Sequence, residues 1–277
     1  MKLMPRNVSS HLCAATFLLL SPSIASALPK NCTSMTIPAI ASAHGVAGTY
    51  FRSDIWLLNR STLPALFSLS YACWGCAPSY YGRYVAEVTL ASGETRQFRD
   101  AANTLFNAPE TRGAVVITQC AAGGGEGGAP APFFASSRTY TDVPDGQGTN
   151  GTGVPAFSNA QATQAAMFIG LASNGGDLRT GYRTNVGIMS PYATDYFPIS
   201  VQLTLRDSPG VLVASGSVSV GGAPVQINDV FAALGVPAMV TTNATLLMEG
   251  SQPMYPYVIV IDNQSGDSTF LPFASGQ

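Results

Sequence analysis

The amino-acid sequence predicts an all-β protein built from two tandem sandwich-like (immunoglobulin-like) modules, each with one short helix. Three observations carry that expectation. Blocks of sequence occur twice in the same order. Short runs of alternating apolar residues are separated by turn residues. The composition is rich in glycine, with 28 among 277 residues, and only 10% of residues are charged, far too apolar for a disordered chain.

The first repeated block reads Phe51-Arg52-Ser53-Asp54-Ile55-Trp56-Leu57-Leu58-Asn59, answered by Tyr182-Arg183-Thr184-Asn185-Val186-Gly187-Ile188-Met189-Ser190. Gly93, Gln97, Phe98 and Asp100 then recur as Gly222, Gln226, Ile227 and Asp229. A third match, Ile37-Pro38-Ala39 with Val154-Pro155-Ala156, is read as the opening of each copy. The order and spacing of the blocks point to duplication of one unit.

Within each copy the local chemistry agrees. Residues 55–57, 66–69, 85–90 and 114–117 alternate as half-buried strands do, and 186–188, 201–205, 211–220 and 246–248 are their counterparts. Ser92-Gly93-Glu94 and Gly221-Gly222-Ala223 are turns. Asp100 opens a short helix over 101–106 that Asn107 and Pro109 stop. Asn228 or Asp229 opens another over 230–234, stopped by Gly235 and Pro237. Closing strands are expected at 133–140 and 257–262. The glycine run 123–128 reads as a hairpin loop and residues 145–153 as the linker, dividing the chain into modules 28–150 and 151–277.

Residues 1–27 have the form of a signal peptide. Lys2 and Arg6 precede an apolar stretch over 12–24, and Ala25-Ser26-Ala27 supplies the small-x-small cleavage pattern. Cleavage there removes Lys2 and Arg6 from the 13 basic residues and none of the 15 acidic ones, so the exported chain carries 11 against 15. That balance, with Lys30 the single remaining lysine, speaks against nucleic acid as a partner. No second apolar run reaches the length of a transmembrane helix. Cys32, Cys73, Cys76 and Cys120 remain after cleavage, an even number that reads as two disulfides with three possible connectivities. All four fall in the first half.

Residues 37–45, 49–59, 90–98, 225–235 and 261–270 together resemble a repeated β-rich segment of secreted bacterial proteins, of unknown function. The likeness spans nearly all of the chain after residue 27 and implies the fold and export, with no activity or ligand attached. The cysteines and the Cys73-Trp74-Gly75-Cys76 segment depart from that pattern.

The chemistry-bearing motifs each meet a simpler reading. Cys73-Trp74-Gly75-Cys76 follows an apolar strand and leads into no helix, whereas a redox pair needs a helix start to acidify its thiol; disulfides are expected. Gly123-x-Gly125-x-x-Gly128 precedes Ala129-Pro130-Ala131-Pro132, which cannot begin the helix that holds a pyrophosphate. His44 is the one histidine after residue 27 and reads as a surface residue. Residues 262–267 resemble a calcium loop in composition, yet lack its spacing and read as a turn. No metal or cofactor is expected.

The recurring polar residues are Arg52, Asp54 and Asp100 in one copy and Arg183, Asn185 and Asp229 in the other. They are expected to be structural: the arginine fork binding a carboxylate and tying strand to helix, the aspartate capping that helix. What remains for binding is an insertion over 74–84, where Trp74, Tyr80, Tyr81 and Tyr84 lie among glycine, proline and serine. The expected function is a non-enzymatic surface or envelope module binding a polysaccharide or a protein partner. The alternatives are a hydrolase using Asp54, Asp100 and Glu87, or a purely structural envelope protein.

Overall fold

A computed structural model describes residues 31–45, 48–74, 83–121, 129–143, 146–177 and 179–275. The expected signal peptide, the glycine run, Cys76, Tyr80 and Tyr81 lie outside the described residues. No helix among the described residues is long and apolar enough to cross a membrane.

The first unit comprises β1 (Cys32–His44), β2 (Tyr50–Asn59), β3 (Ala65–Trp74), β4 (Arg83–Leu90), β5 (Thr95–Phe98), α1 (Ala101–Thr104), β6 (Thr111–Cys120), β7 (Phe133–Asp142), β8 (Thr149–Pro155) and β9 (Phe157–Ser158). The second comprises β10 (Thr163–Asn174), β11 (Tyr182–Met189), β12 (Ile199–Arg206), β13 (Leu212–Val220), β14 (Val225–Ile227), α2 (Val230–Ala233), β15 (Val240–Asp262), β16 (Ser268–Leu271) and β17 (Ala274–Ser275). The protein is thus all-β with two short helices.

The two units share one topology. In the first, one continuous sheet runs β4-β3-β6-β1-β2-β7-β8, with β9 beside β1 and β5 beside β2; the end of β1 pairs with the start of β2, joining β4-β3-β6-β1 to β2-β7-β8. In the second, β13-β12-β15-β10 carries β17 beside β10, and β14-β11-β15-β16 faces it. The long β15 serves in both layers, pairing first with β10 and β12 and then with β11 and β16.

Alternation along the strands sends one face inward. Ile37, Ile55, Leu57, Phe67, Leu69 and Tyr71 fill the first core, and Phe168, Val186, Ile188, Leu203, Leu205 and Leu246 fill the second. A third cluster joins the units: Ala114 and Phe157 pack with Met189 and Tyr255. Phe157 lies 6.1 Å from the Tyr255 ring and 5.9 Å from Phe273.

The repeated blocks occupy matching registers. Arg52 faces Tyr140 and Arg183 faces Ile261, while Ile55 faces Phe98 and Val186 faces Ile227. The Ala41 amide donates to Ser53 Oγ, as the Ala172 amide does to Thr184 Oγ1.

Three expectations need correction. Residues 149–153 are not a linker but most of β8, hydrogen-bonded along β7. The sheets divide between Ser158 and Thr163 rather than at residue 150, because β9 still pairs with β1. Ile37 and Val154 are not equivalents: Ile37 pairs with Val115 of β6, Val154 with Ser137 of β7.

Cys32 and Cys120 face each other across β1 and β6 and form a disulfide. Cys73 is disulfide-bonded as well, and Cys76 is the other cysteine after residue 27.

Candidate functional site

The polar residues shared by the two units lie on the outer face of the layer that holds β2 or β11. Alternation puts Ile55 and Leu57 into the core and leaves Arg52, Asp54 and Trp56 on the other side. Likewise Val186 and Ile188 point inward, and Arg183, Asn185 and Gly187 outward.

In the first unit most of the polar groups on that face bond to one another. Asp54 is buried, and its carboxylate accepts from the Asp100 amide (2.9 Å), Gln97 Nε2 (2.8 Å) and the Tyr140 hydroxyl (3.1 Å). Burial first, and then the Asp54 charge, raises the Tyr140 phenol above its ordinary range. Arg52 Nη2 meets both oxygens of Asp142 at 2.5 Å, and its guanidinium lies 5.3 Å from the Tyr140 ring, with Arg138 at the same distance.

Asp54, rather than the arginine, is therefore the tie from strand to helix; Arg52 holds the end of β7 instead. Nor does the Asp100 side chain cap α1. Asp100 adopts φ 46°, and among the described residues its side chain accepts from Asn103 Nδ2 and from no α1 amide. Arg52 Nε and Asp100 Oδ1 are buried without a hydrogen-bond partner among the described residues.

The second unit keeps the geometry and changes the charge. Asn185 Oδ1 accepts from the Asp229 amide at 3.2 Å, reproducing the Asp54 tie with a neutral side chain. Asp229 caps α2 through the amides of Phe231 and Ala232. Arg183 Nη1 donates to Asn263 Oδ1, at the register position that Asp142 fills beside Arg52. Two carboxylates of the first unit are thus amides in the second. Arg183 is only 7% exposed. Burial lowers its pKa, partly opposed by the charge of Asp229.

A volume exchange accompanies the charge change. In the first unit Trp56 on β2 faces Ser136 on β7; in the second Gly187 on β11 faces Tyr257 on β15. A Cβ at Gly187 would overlap the Tyr257 ring, so glycine lets that ring lie flat across the neighbouring strand.

This altered face is covered by the first unit, and a cleft of about 280 Å³ lies between them, near the lower end of ligand-binding pockets. Ala39, Ala41 and Ala43 of β1 and Arg112 of β6 form one wall; Arg183, Asn185, Gln226, Asn228 and Tyr257 form the other, with His44 exposed at the rim. No aspartate or glutamate is among the described lining residues.

Of the expected binding aromatics, Trp74 is 38% exposed and stacks on the Arg112 guanidinium 4.7 Å from its ring, the two facing each other across β3 and β6. A small depression lined by Trp74, Arg112, Pro224, Gln226 and Tyr257 runs beside the cleft and shares Arg112, Gln226 and Tyr257 with it. Tyr84 has its backbone in β4 opposite Tyr71.

The carboxylates considered for hydrolysis are otherwise disposed. Asp54 is fully occupied by its three donors, and Glu87 lies exposed on β4. Residues 262–267 form a turn in which Asp262 Oδ1 accepts from the Gln264 amide at 2.8 Å. Sequence reasoning missed Arg112, Asn228 and Tyr257. Its own alignment nonetheless held the signal in the pairs Asp54/Asn185 and Trp56/Gly187.

No protein-family model matches the chain, and no curated protein matches it.

Proposed function

We propose that the protein is an exported, non-enzymatic module of the cell surface or envelope, made by duplication of a β-rich unit of the kind found in secreted bacterial proteins. It binds a polysaccharide in the cleft between its two units. The observation that carries this reading is the cleft lining. Guanidinium and amide groups on rigid strands stand beside Tyr257, and the same wall continues to the exposed Trp74. Polar forks for ring hydroxyls next to aromatic faces for stacking are what sugar recognition requires, and strands hold both in place at small entropic cost.

A glycan array and polysaccharide pull-down, comparing the wild type with Trp74→Ala, tests the reading. Trp74 is partly exposed, so the variant is expected to fold and to lose roughly tenfold in retention, the range for one stacking aromatic. Absence of any retained glycan, or equal retention by both proteins, would refute it.

A further inference from the structure

We infer that the cleft selects an anionic sugar, and that Arg183 and Arg112 receive its carboxylate; this rests on the polysaccharide reading and narrows it to uronic-acid chains. The inference comes from comparing one face in two settings. In the first unit the outer-face arginine stands beside acids: Arg52 is held by Asp142, with Asp54 two residues along β2. In the second unit the arginine remains while both acids are replaced by amides, Asn263 and Asn185. The cation is present in both units, while in the second the positions of Asp54 and Asp142 carry amides and Asp229 alone keeps its charge beside the arginine.

Burial sharpens the consequence. Arg183 is 7% exposed and lines the cleft, and among the described residues the two ion pairs are Arg52–Asp142 and Arg96–Glu94. Its remaining counter-charge is Asp229, whose Oδ1 is engaged by two helix amides. Across the cleft stands a second guanidinium, Arg112, and at the rim His44. A partly desolvated cation sharing a cleft with a second one, with no acid among the described lining residues and Asp229 engaged by helix amides, leaves room for a further negative charge. A carboxylate supplies it with bidentate geometry. The amides of Asn185, Gln226 and Asn228 suit ring hydroxyls, and the space of about 280 Å³ suits one residue of a chain rather than a long segment.

The decisive variant is Asn185→Asp, which installs in the second unit the acid that the first unit already accommodates at the same register. It keeps an acceptor for the Asp229 amide, so folding is expected to be retained. Isothermal titration calorimetry would compare a galacturonic-acid trimer, a galactose trimer and monomeric galacturonate. The uronate trimer is expected to bind at least tenfold tighter than the neutral trimer and to weaken with added salt. Asn185→Asp and Arg112→Gln are each expected to lower its affinity tenfold or more, with unchanged circular dichroism.

Equal affinity for the charged and neutral trimers, or full uronate affinity in Asn185→Asp, overturns the anion assignment while leaving polysaccharide binding intact. Monomer affinity equal to the trimer's overturns the polymer source in favour of a free acid. No binding by any of the three, together with an array on which no glycan is retained, overturns both this inference and the reading beneath it.

Discussion

Replacing Asp54 by alanine is expected to be among the costlier single changes on the outer face of the first unit. Its carboxylate accepts three hydrogen bonds in a buried setting, and the three donors fare differently without it. Gln97 is exposed and turns to water. The Tyr140 hydroxyl is partly buried and loses about 1 kcal/mol, while the Asp100 amide, at the foot of α1, is left without an acceptor for about 1–3 kcal/mol. The sum is about 2–4 kcal/mol, or roughly 5–15 °C in Tm for a chain of this size. Asp54→Asn retains the acceptor for the Asp100 amide, as Asn185 does for Asp229, so its cost should stay below about 1 kcal/mol. Urea unfolding followed by tryptophan fluorescence reads the effect directly, because both tryptophans, Trp56 and Trp74, lie in the first unit. If Asp54→Ala costs no more than Asp54→Asn, the tie is not what holds α1 to β2.

Two further outcomes follow from the same structure. Replacing Cys32 and Cys120 by serine frees two residues 88 apart in sequence, so the first unit should lose about 2–5 kcal/mol; a loss confined to the second unit would contradict the assigned pairing. At alkaline pH, burial raises the phenol of Tyr257, with Arg112 opposing, and also raises Tyr255 and Tyr140. A pKa raised on folding contributes stability that is present below the ordinary value of 10.0 and is lost as pH rises past it. Unfolding above pH 10 should therefore coincide with tyrosinate absorbance and flatten in Tyr257→Phe, and an unchanged alkaline limb in that variant would disprove the assignment.

Strands with unbroken alternation, such as β2, β3, β11 and β12, were legible in the sequence, as were both helices through their stop residues. β1 and β10 were not, for a physical reason. Each carries register shifts, between Ile37 and Ile40 in β1 and around Gly170 in β10, and a bulge changes the phase of the period-two signal halfway along the strand. The glycines of β8 suggested a linker, yet Gly151 is small because the Tyr140 backbone lies directly against it. Close strand packing and loop flexibility leave the same composition behind. Trp74 stands out in the sequence because a tryptophan between two cysteines is conspicuous, and the structure leaves it 38% exposed. The cleft was hidden because its two walls come from units whose mutual placement no local pattern encodes.

That placement also explains why the substitutions between units cluster. The outer face of β2 is half-buried within its own unit, and there the arginine stands beside Asp142 and Tyr140. The outer face of β11 is closed by β1, and on it the acids become amides and the tryptophan becomes glycine. Val186 and Ile188 match the apolar character of Ile55 and Leu57 in the core, so the differences between the two strands fall on the outer face. The junction that closes this face is packed and hydrogen-bonded: Phe157 stacks on Tyr255, and Asn159 Oδ1 accepts from both Ser34 Oγ and the Tyr255 hydroxyl. A cleft whose walls are fixed before a ligand arrives loses little entropy on binding. Polar groups there contribute to affinity only if a ligand completes them, since an unpaired buried cation is otherwise a cost to folding. Arg183 meets that cost at 7% exposure through Asn263, which accepts from it, and through the charge of Asp229 nearby, where Arg52 has the carboxylate of Asp142.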